Sequence, residues 1–436
     1  MASLNTLSAP ALAPRSGAST NPIALAIIVA LFIVAAAISA QRKDVTQGFD
    51  EVAHVSYVAH LQSTREIWPA LETMRLLDPR SFRFTGEANY LNHPPPFYLL
   101  LAKLGPTVEG HPAAALAHRL INILLVAIGL AAVLAIGFAA RLPREQFYAY
   151  AIPIVFIPVL APLAGAVNND NLAIVGGAMT TLAAWQLAAT GRKGWLALAL
   201  LGMIAAAWAK LTGLLLSAGL VTTVCLYLVW RGRLDWRWLA LVIVALCVAA
   251  APYLAFMAQY GSPVPNTPAQ VALLEDGARI AGWADLPRKS FPAYLAHFVG
   301  MFISDWMPTL AKRNAFHYAM LAIPVAALGC ALGGFFVSLQ RLCKRRETAL
   351  DVLVICGMVT IVATFAIHIG YSYPRHVATG FLMEAYPRYY LPLAAIIPLA
   401  AVSLLAAIER PPIRAALTGF LIAGPILFRL LAAPFE

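Results

Sequence analysis

Long apolar runs follow one another along this chain with only short polar breaks between them. They lie near residues 22–40, 113–140, 147–164, 169–190, 194–209, 212–230, 236–257, 315–340, 348–370, 387–408 and 411–432. A helix needs roughly 20 apolar residues to cross a bilayer, and in lipid only helices or closed barrels satisfy every backbone polar group. Runs of this length predict helices, so the expected fold is an all-α polytopic membrane protein with about 11 transmembrane helices. The two runs that meet at Lys210 also read as one broken helix. Composition agrees: 61% of the 436 residues are hydrophobic and 12% are charged, against about 25% charged in soluble domains.

The formal net charge of +11 does not point to nucleic acid. The basic residues fall in clusters between apolar runs: Arg141/Arg144, Arg192/Lys193, Arg231/Arg233/Arg237, Arg341/Lys344/Arg345/Arg346 and Arg410/Arg414. If the runs alternate across a membrane, all five clusters share one face, which the positive-inside rule makes cytoplasmic. Residues 1–21, rich in Ser, Ala, Pro and Thr, then form a disordered cytoplasmic tail, and 22–436 form a single integral membrane domain. The first run exceeds the 7–15 residues of a signal-peptide core and reads as an uncleaved span. The five cysteines are scattered, without a C-x-x-C pair, and imply no disulfide framework.

This orientation puts three loops on the external face: 41–112, 258–314 and 371–386. The first carries the most chemistry. Asp50-Glu51-x-x-His54-x-x-Tyr57 has a helical spacing that places Asp50 and His54 on one face, and an idle carboxylate beside the apolar phase is costly. Some 40 residues later comes Asn92-His93-Pro94-Pro95-Pro96-Phe97-Tyr98, whose prolines favour an extended approach and then a helix start. Asn168-Asn169-Asp170 sits at a turn that opens a run and suits capping. Lys210 lies between two runs, either snorkelling or facing a cavity. Arg375 and Arg388, with Tyr389 beside the latter, are either interfacial anchors or phosphate ligands. Phe291–Ile303 is amphipathic and reads as a segment along the membrane, followed by Asp305-Trp306.

Phe49-Asp50-Glu51-x-x-His54 and His93-Pro94-Pro95-Pro96-Phe97-Tyr98, following a first span, resemble the GT-C superfamily of membrane glycosyltransferases. The likeness is to the bacterial members similar to protein O-mannosyltransferases and the aminoarabinose transferase of lipid A, and it covers mainly residues 20–260. A third proline and Phe97 depart mildly from the usual pattern. The resemblance implies a GT-C-like fold with membrane-parallel helices in the first external loop. It also implies a bacterial inner membrane location with the active site facing the periplasm, an Asn-Asp turn (Asn169, Asp170) beside the cavity, and donor-phosphate contacts from Lys210 and Arg388.

The expected activity is sugar transfer from a polyprenyl-phosphate donor to a glycan, lipid or protein acceptor on the external face, with inversion. Asp50, and Glu51 second, are the expected general base. Lys210, Arg375 and Arg388 are expected at the donor phosphate, and His54, Tyr57, His93, Asn169, Asp170 and Tyr389 as cavity or supporting residues. No nucleotide-binding motif occurs. No spacing requires a cofactor, although Asp50, Glu51 and Asp170 would be the ligands of a divalent cation if one bound. The rival readings are a polytopic transporter or flippase and a polysaccharide polymerase acting on lipid-linked glycans.

Overall fold

In the computed structural model, residues 22–304, 320–382 and 386–431 are described. The expectations for the tail 1–21, for Asp305-Trp306 and for the start of the 315–340 run lie outside those residues. The regular structure is almost entirely helical: α1 (Pro22–Arg42), α2 (Glu51–Thr64), α3 (Pro96–Leu104), α4 (Ala114–Ala139), α5 (Arg144–Val155), α6 (Leu160–Ala164), α7 (Asp170–Thr190) and α8 (Gly194–Ala209) form the first half. Then come α9 (Leu211–Trp230), α10 (Arg237–Tyr260), α11 (Pro268–Ile280), α12 (Phe291–Ser304), α13 (Ala322–Cys343), α14 (Ala349–Thr379), α15 (Ile396–Ala407) and α16 (Pro411–Leu431). A 3₁₀ segment, Pro387–Leu393, precedes α15. Strands β1 (Arg75–Leu77) and β2 (Phe84–Ala88) pair antiparallel within the first long loop.

Eight of the described helices (α1, α4, α7, α9, α10, α13, α14 and α16) are long and apolar enough to cross a membrane, or nine if Pro387–Leu393 and α15 count as one bent span. This multi-pass arrangement has fewer full-length helices than the eleven expected, for local reasons. The 147–164 run breaks into α5 and α6 because Pro153, Pro158 and Pro162 cannot donate to a helical ladder. The run ending at Ala209 gives a 16-residue helix, because Lys210 adopts an extended backbone (φ −161°, ψ 147°) between α8 and α9. The 387–408 run bends by 65° between its 3₁₀ and α-helical parts.

Much of the expected loop 371–386 is helical. Helix α14 is 31 residues long, well beyond the roughly 20 needed to span. It carries Tyr371 to Thr379 as a helical extension and ends where Gly380 adopts φ 78°. In the loop 41–112, α2 and α3 are helical as the motifs suggest, and the small β-hairpin is additional.

Helix α7 is the hub, with 72% of its most apolar window buried. Adjacent glycines make its packing close. A Cβ on Gly176 would meet the Ala206 nitrogen of α8 at 2.5 Å, and one on Gly177 would meet the Pro392 carbonyl oxygen at 2.4 Å. Small residues let membrane helices approach this way. Here the second contact seats the 3₁₀ segment carrying Arg388 directly against the helix that begins with Asp170.

Candidate functional site

The chain turns into α2 through three consecutive residues with positive φ: Gly48 (96°), Phe49 (59°) and Asp50 (55°). For non-glycine residues this costs roughly 1–2 kcal/mol each, so something must hold the turn. That anchor is Glu51. Its carboxylate is buried and takes two hydrogen bonds from Arg119, Nε to Oε1 at 2.8 Å and Nη2 to Oε2 at 2.7 Å. It also accepts from the Val167 backbone N–H at 2.8 Å. Arg119 Nη1 donates to the carbonyls of Ala40 (2.6 Å) and Lys43 (2.8 Å). One buried ion pair therefore ties the end of α1, the start of α2, α4 and the 165–170 turn together. Glu51, expected beside Asp50 in the chemistry, points instead into this anchor and is saturated by it.

Asp50 itself is about half exposed (48%). It accepts a hydrogen bond from the Tyr90 hydroxyl at 3.2 Å, and its Oδ2 lies 3.9 Å from Arg388 Nη2. Arg388 also approaches Asp170, Nε to Oδ2 at 3.8 Å. Asp170, buried at the first turn of α7, accepts from Lys210 Nζ at 2.8 Å through its other oxygen. Lys210 can reach it because the α8–α9 break projects the side chain there. The Lys210 ammonium sits 3.7 Å from the centroid of Tyr389. The Arg388 guanidinium lies among the rings of Phe49, Tyr386 and Tyr389 at 4.8–5.6 Å, distances at which cation–π attraction operates. Two carboxylates and two cations, gathered from four separate parts of the sequence, thus meet at one point.

A ring stack stands beside them. His54 Nδ1 is 2.9 Å from the Tyr98 hydroxyl, and His54 Nε2 accepts from Asn168 Nδ2 at 3.0 Å. Tyr57 stacks on Tyr98 with centroids 4.0 Å apart, and His93 lies nearly parallel to His54 at 6.0 Å. Burial pushes the His54 imidazole well below its ordinary value, and His93, Lys210 and Arg388 add to the effect. His93 is half-buried. Burial is the largest cause that takes it down to about 3, followed by Lys210, with Asp170 opposing and Arg388 adding. Both imidazoles are neutral at neutral pH, so the local positive charge comes from Lys210 and Arg388.

The remaining expected residues divide. Asn169 donates through Nδ2 to the Ala209 carbonyl at 2.7 Å, fixing the residue before Lys210. The capping bond is made by its neighbour, with Asn168 Oδ1 accepting from the Asp170 N–H at 2.8 Å. Arg375 lies apart from the cluster on the α14 extension. It bonds Asn266 and, at 3.4 Å, Gln270 of α11, and Gln270 in turn accepts from Asn92 at 2.8 Å. Among the described residues no group of three or more His, Cys, Asp or Glu side chains is arranged to hold a metal ion. The trio Asp50, Glu51 and Asp170 does not converge: Glu51 is engaged by Arg119, and Arg388 lies between the other two.

The sequence reading does not single out Arg119 or Tyr90, and it marks Asn168 only as part of a capping turn. Arg119 had a signal: a lone arginine inside an apolar run needs a partner. Tyr90 reaches Asp50, and Asn168 reaches His54 and Phe49, through tertiary contacts that no sequence spacing announces.

No family model matches the chain, and no curated protein matches it. Solved structures do. One is the oligosaccharyltransferase of Archaeoglobus fulgidus tethered with an acceptor peptide, at 16% identity and a TM-score of 0.44, covering 93% of this chain and 54% of that one. Another is ArnT from Cupriavidus metallidurans bound to undecaprenyl phosphate, at 15% identity and a TM-score of 0.39, covering 89% and 79%. The chain is similar to both at low identity. It spans about half the length of the archaeal enzyme.

Proposed function

We propose that the protein is a glycosyltransferase that moves a sugar from a polyprenyl-phosphate donor to an acceptor hydroxyl, with inversion. The observation that carries this reading is the half-exposed Asp50 carboxylate standing 3.9 Å from an arginine that is also shared with Asp170. A base open to an acceptor thus adjoins a guanidinium suited to phosphate oxygens.

In this reading Asp50 accepts the proton of the acceptor hydroxyl as its oxygen attacks the anomeric carbon. The new C–O bond forms on the face opposite the donor phosphate while the old C–O bond breaks. Lys210 and Arg388 take the charge that develops on the departing phosphate, the largest single effect such a site offers. Asp170 holds both cations in place until the donor arrives. Glu51 and Arg119 fix the strained turn that presents Asp50, and Arg375 belongs to the surrounding wall. Orientation by the basic clusters supports an external active site, periplasmic in a bacterial inner membrane. The concentration of ionisable groups at the ends of helices favours this reading over a transporter, whose sites lie near the midplane.

The test is to supply purified protein with a radiolabelled polyprenyl-phosphate sugar and a mixture of envelope glycolipids and proteins, and to follow release of polyprenyl phosphate. Release that disappears in Asp50→Asn supports the assignment. Release that is absent from the wild-type protein, or unchanged in the variant, overturns it.

A further inference from the structure

The Glu51–Arg119 anchor fixes the backbone of Asp50 but not its side chain. A carboxylate as exposed as this one ordinarily turns among staggered rotamers. The one hydrogen bond that it makes among the described residues comes from the Tyr90 hydroxyl, 3.2 Å from Oδ1. Tyr90 stands on a rigid support. Before it, buried Asn89 donates through Nδ2 to the Ala53 carbonyl of α2 at 2.9 Å and accepts through Oδ1 from the Leu91 N–H at 3.0 Å. After it, buried Asn92 donates to the Pro265 carbonyl and to Gln270 of α11, both at 2.8 Å. The segment is thus clamped to α2 on one side and to α11 on the other, with the half-buried Tyr90 between. Burial, with the Asp50 carboxylate adding, pushes the phenol above its ordinary value, so the hydroxyl keeps its proton and is the donor.

We infer that Tyr90 is the positioning residue of the proposed base: its hydroxyl occupies Oδ1 and leaves Oδ2, turned toward Arg388, as the atom that takes the acceptor proton. The assignment rests on Asp50 acting as general base, and adds which oxygen works and what aims it. In the step the acceptor O–H bond breaks, its electron pair goes to the new bond at the anomeric carbon, and the proton goes to Oδ2. The Tyr90 proton does not move. Oδ1 is still an acceptor once Oδ2 is protonated, so the Tyr90 bond persists through the step. Tyr90 acts through Asp50 alone, and donor binding stays with Lys210 and Arg388.

Turnover by the full chain in detergent tests this, read as release of polyprenyl phosphate from the labelled donor with the same acceptor mixture, in Tyr90→Phe, Asp50→Asn and the double variant. Tyr90→Phe should lower kcat about tenfold or more, the scale of a misaimed group, with donor KM and unfolding temperature unchanged. In the Asp50→Asn background it should cost nothing further, because the group it aims is gone; a loss from packing alone would persist there. Activity retained in Asp50→Asn removes the base, and this assignment with it. Activity lost in Asp50→Asn beside full kcat in Tyr90→Phe overturns the positioning role alone and leaves the base in place. A raised donor KM at unchanged kcat, a loss that persists in the double variant, or earlier unfolding of Tyr90→Phe also overturns it.

Discussion

Arg388 Nε and Asp170 Oδ2 face each other at 3.8 Å, and neither atom makes a hydrogen bond among the described residues. Buried polar atoms are rarely left in this state. The gap is short enough for attraction and too long for a direct bond, which suits a site completed by an oxygen from a ligand. Arg388→Lys keeps the charge and loses the planar fork. Bonds to charged groups contribute about 1.5–3 kcal/mol, so the apparent KM for a polyprenyl-phosphate donor should rise roughly tenfold or more. Kinetics with varied donor at fixed acceptor check this, and an unchanged donor KM removes Arg388 from the phosphate site.

Asp50→Asn separates chemistry from structure. Asparagine tolerates the left-handed backbone that Asp50 adopts, and Asp50 makes no capping bond to α2. Thermal unfolding in detergent should therefore match the wild type, while transfer falls by about 10²–10⁴, the usual contribution of a general base. A variant that unfolds earlier would show that the carboxylate matters to the fold, and retained activity would assign the base elsewhere.

Much of this site was readable before any coordinates, because charges beside apolar runs stand out. Asp50, Asp170, Lys210 and Arg388 are each isolated polar residues at the margin of an apolar run, and all four converge. What the sequence hid was how the neighbours divide the work. Asp50 and Glu51 look equivalent as a pair, yet successive residues of a helix start point in different directions, and one enters the core while the other faces out. Arg375 and Arg388 also look alike, both among tyrosines. The continuation of α14 past the expected span end carries Arg375 to α11, whereas the glycine contact at Gly177 brings Arg388 to Asp170. Fewer full-length helices form than the eleven expected where prolines and Lys210 interrupt apolar runs, breaks that hydropathy averages over although the residues themselves mark them.

The Glu51–Arg119 pair should behave as a buried ion pair. Removing one partner strands the other, at a cost of about 3–5 kcal/mol. Arg119→Leu should lower the unfolding temperature markedly, and Glu51→Leu with Arg119→Leu should recover part of the loss. Activity should stay low in both, since the turn presenting Asp50 is released. Thermal unfolding and turnover, measured on the same preparations, check the two halves separately.

Acid should weaken the fold through His54 and His93. An unfolded histidine binds a proton near pH 6.5, whereas His93 does so at about 3 and His54 well below its ordinary value. Below pH 6.5 the unfolded chain holds more protons, so stability falls as pH drops from about 6.5 toward 3, and these groups contribute no slope above 6.5. The slope is at most about 1.4 kcal/mol per pH unit for each histidine, less for the partly exposed His93. Unfolding of wild-type protein and His54→Gln at pH 8, 6.5, 5 and 4 should show a shallower acid loss in the variant. Parallel curves would contradict this.

The contact between Gly177 and Pro392 assembles the site. A methyl group on Gly177 would stand 2.4 Å from the Pro392 carbonyl oxygen and 2.6 Å from its Cα, and both are backbone atoms that cannot swing aside. Gly177→Ala must push the 3₁₀ segment away from α7, carrying Arg388 from Asp170. Overpacking of this kind costs about 1–3 kcal/mol, which a helical membrane protein can survive. The expected outcome is a folded protein with a modestly lower unfolding temperature and a raised donor KM, resembling Arg388→Lys although the substitution lies elsewhere. Combining the two substitutions should then give less than the sum of their separate effects on donor KM, because both act on one contact. Full additivity would mean that Gly177 and Arg388 act independently.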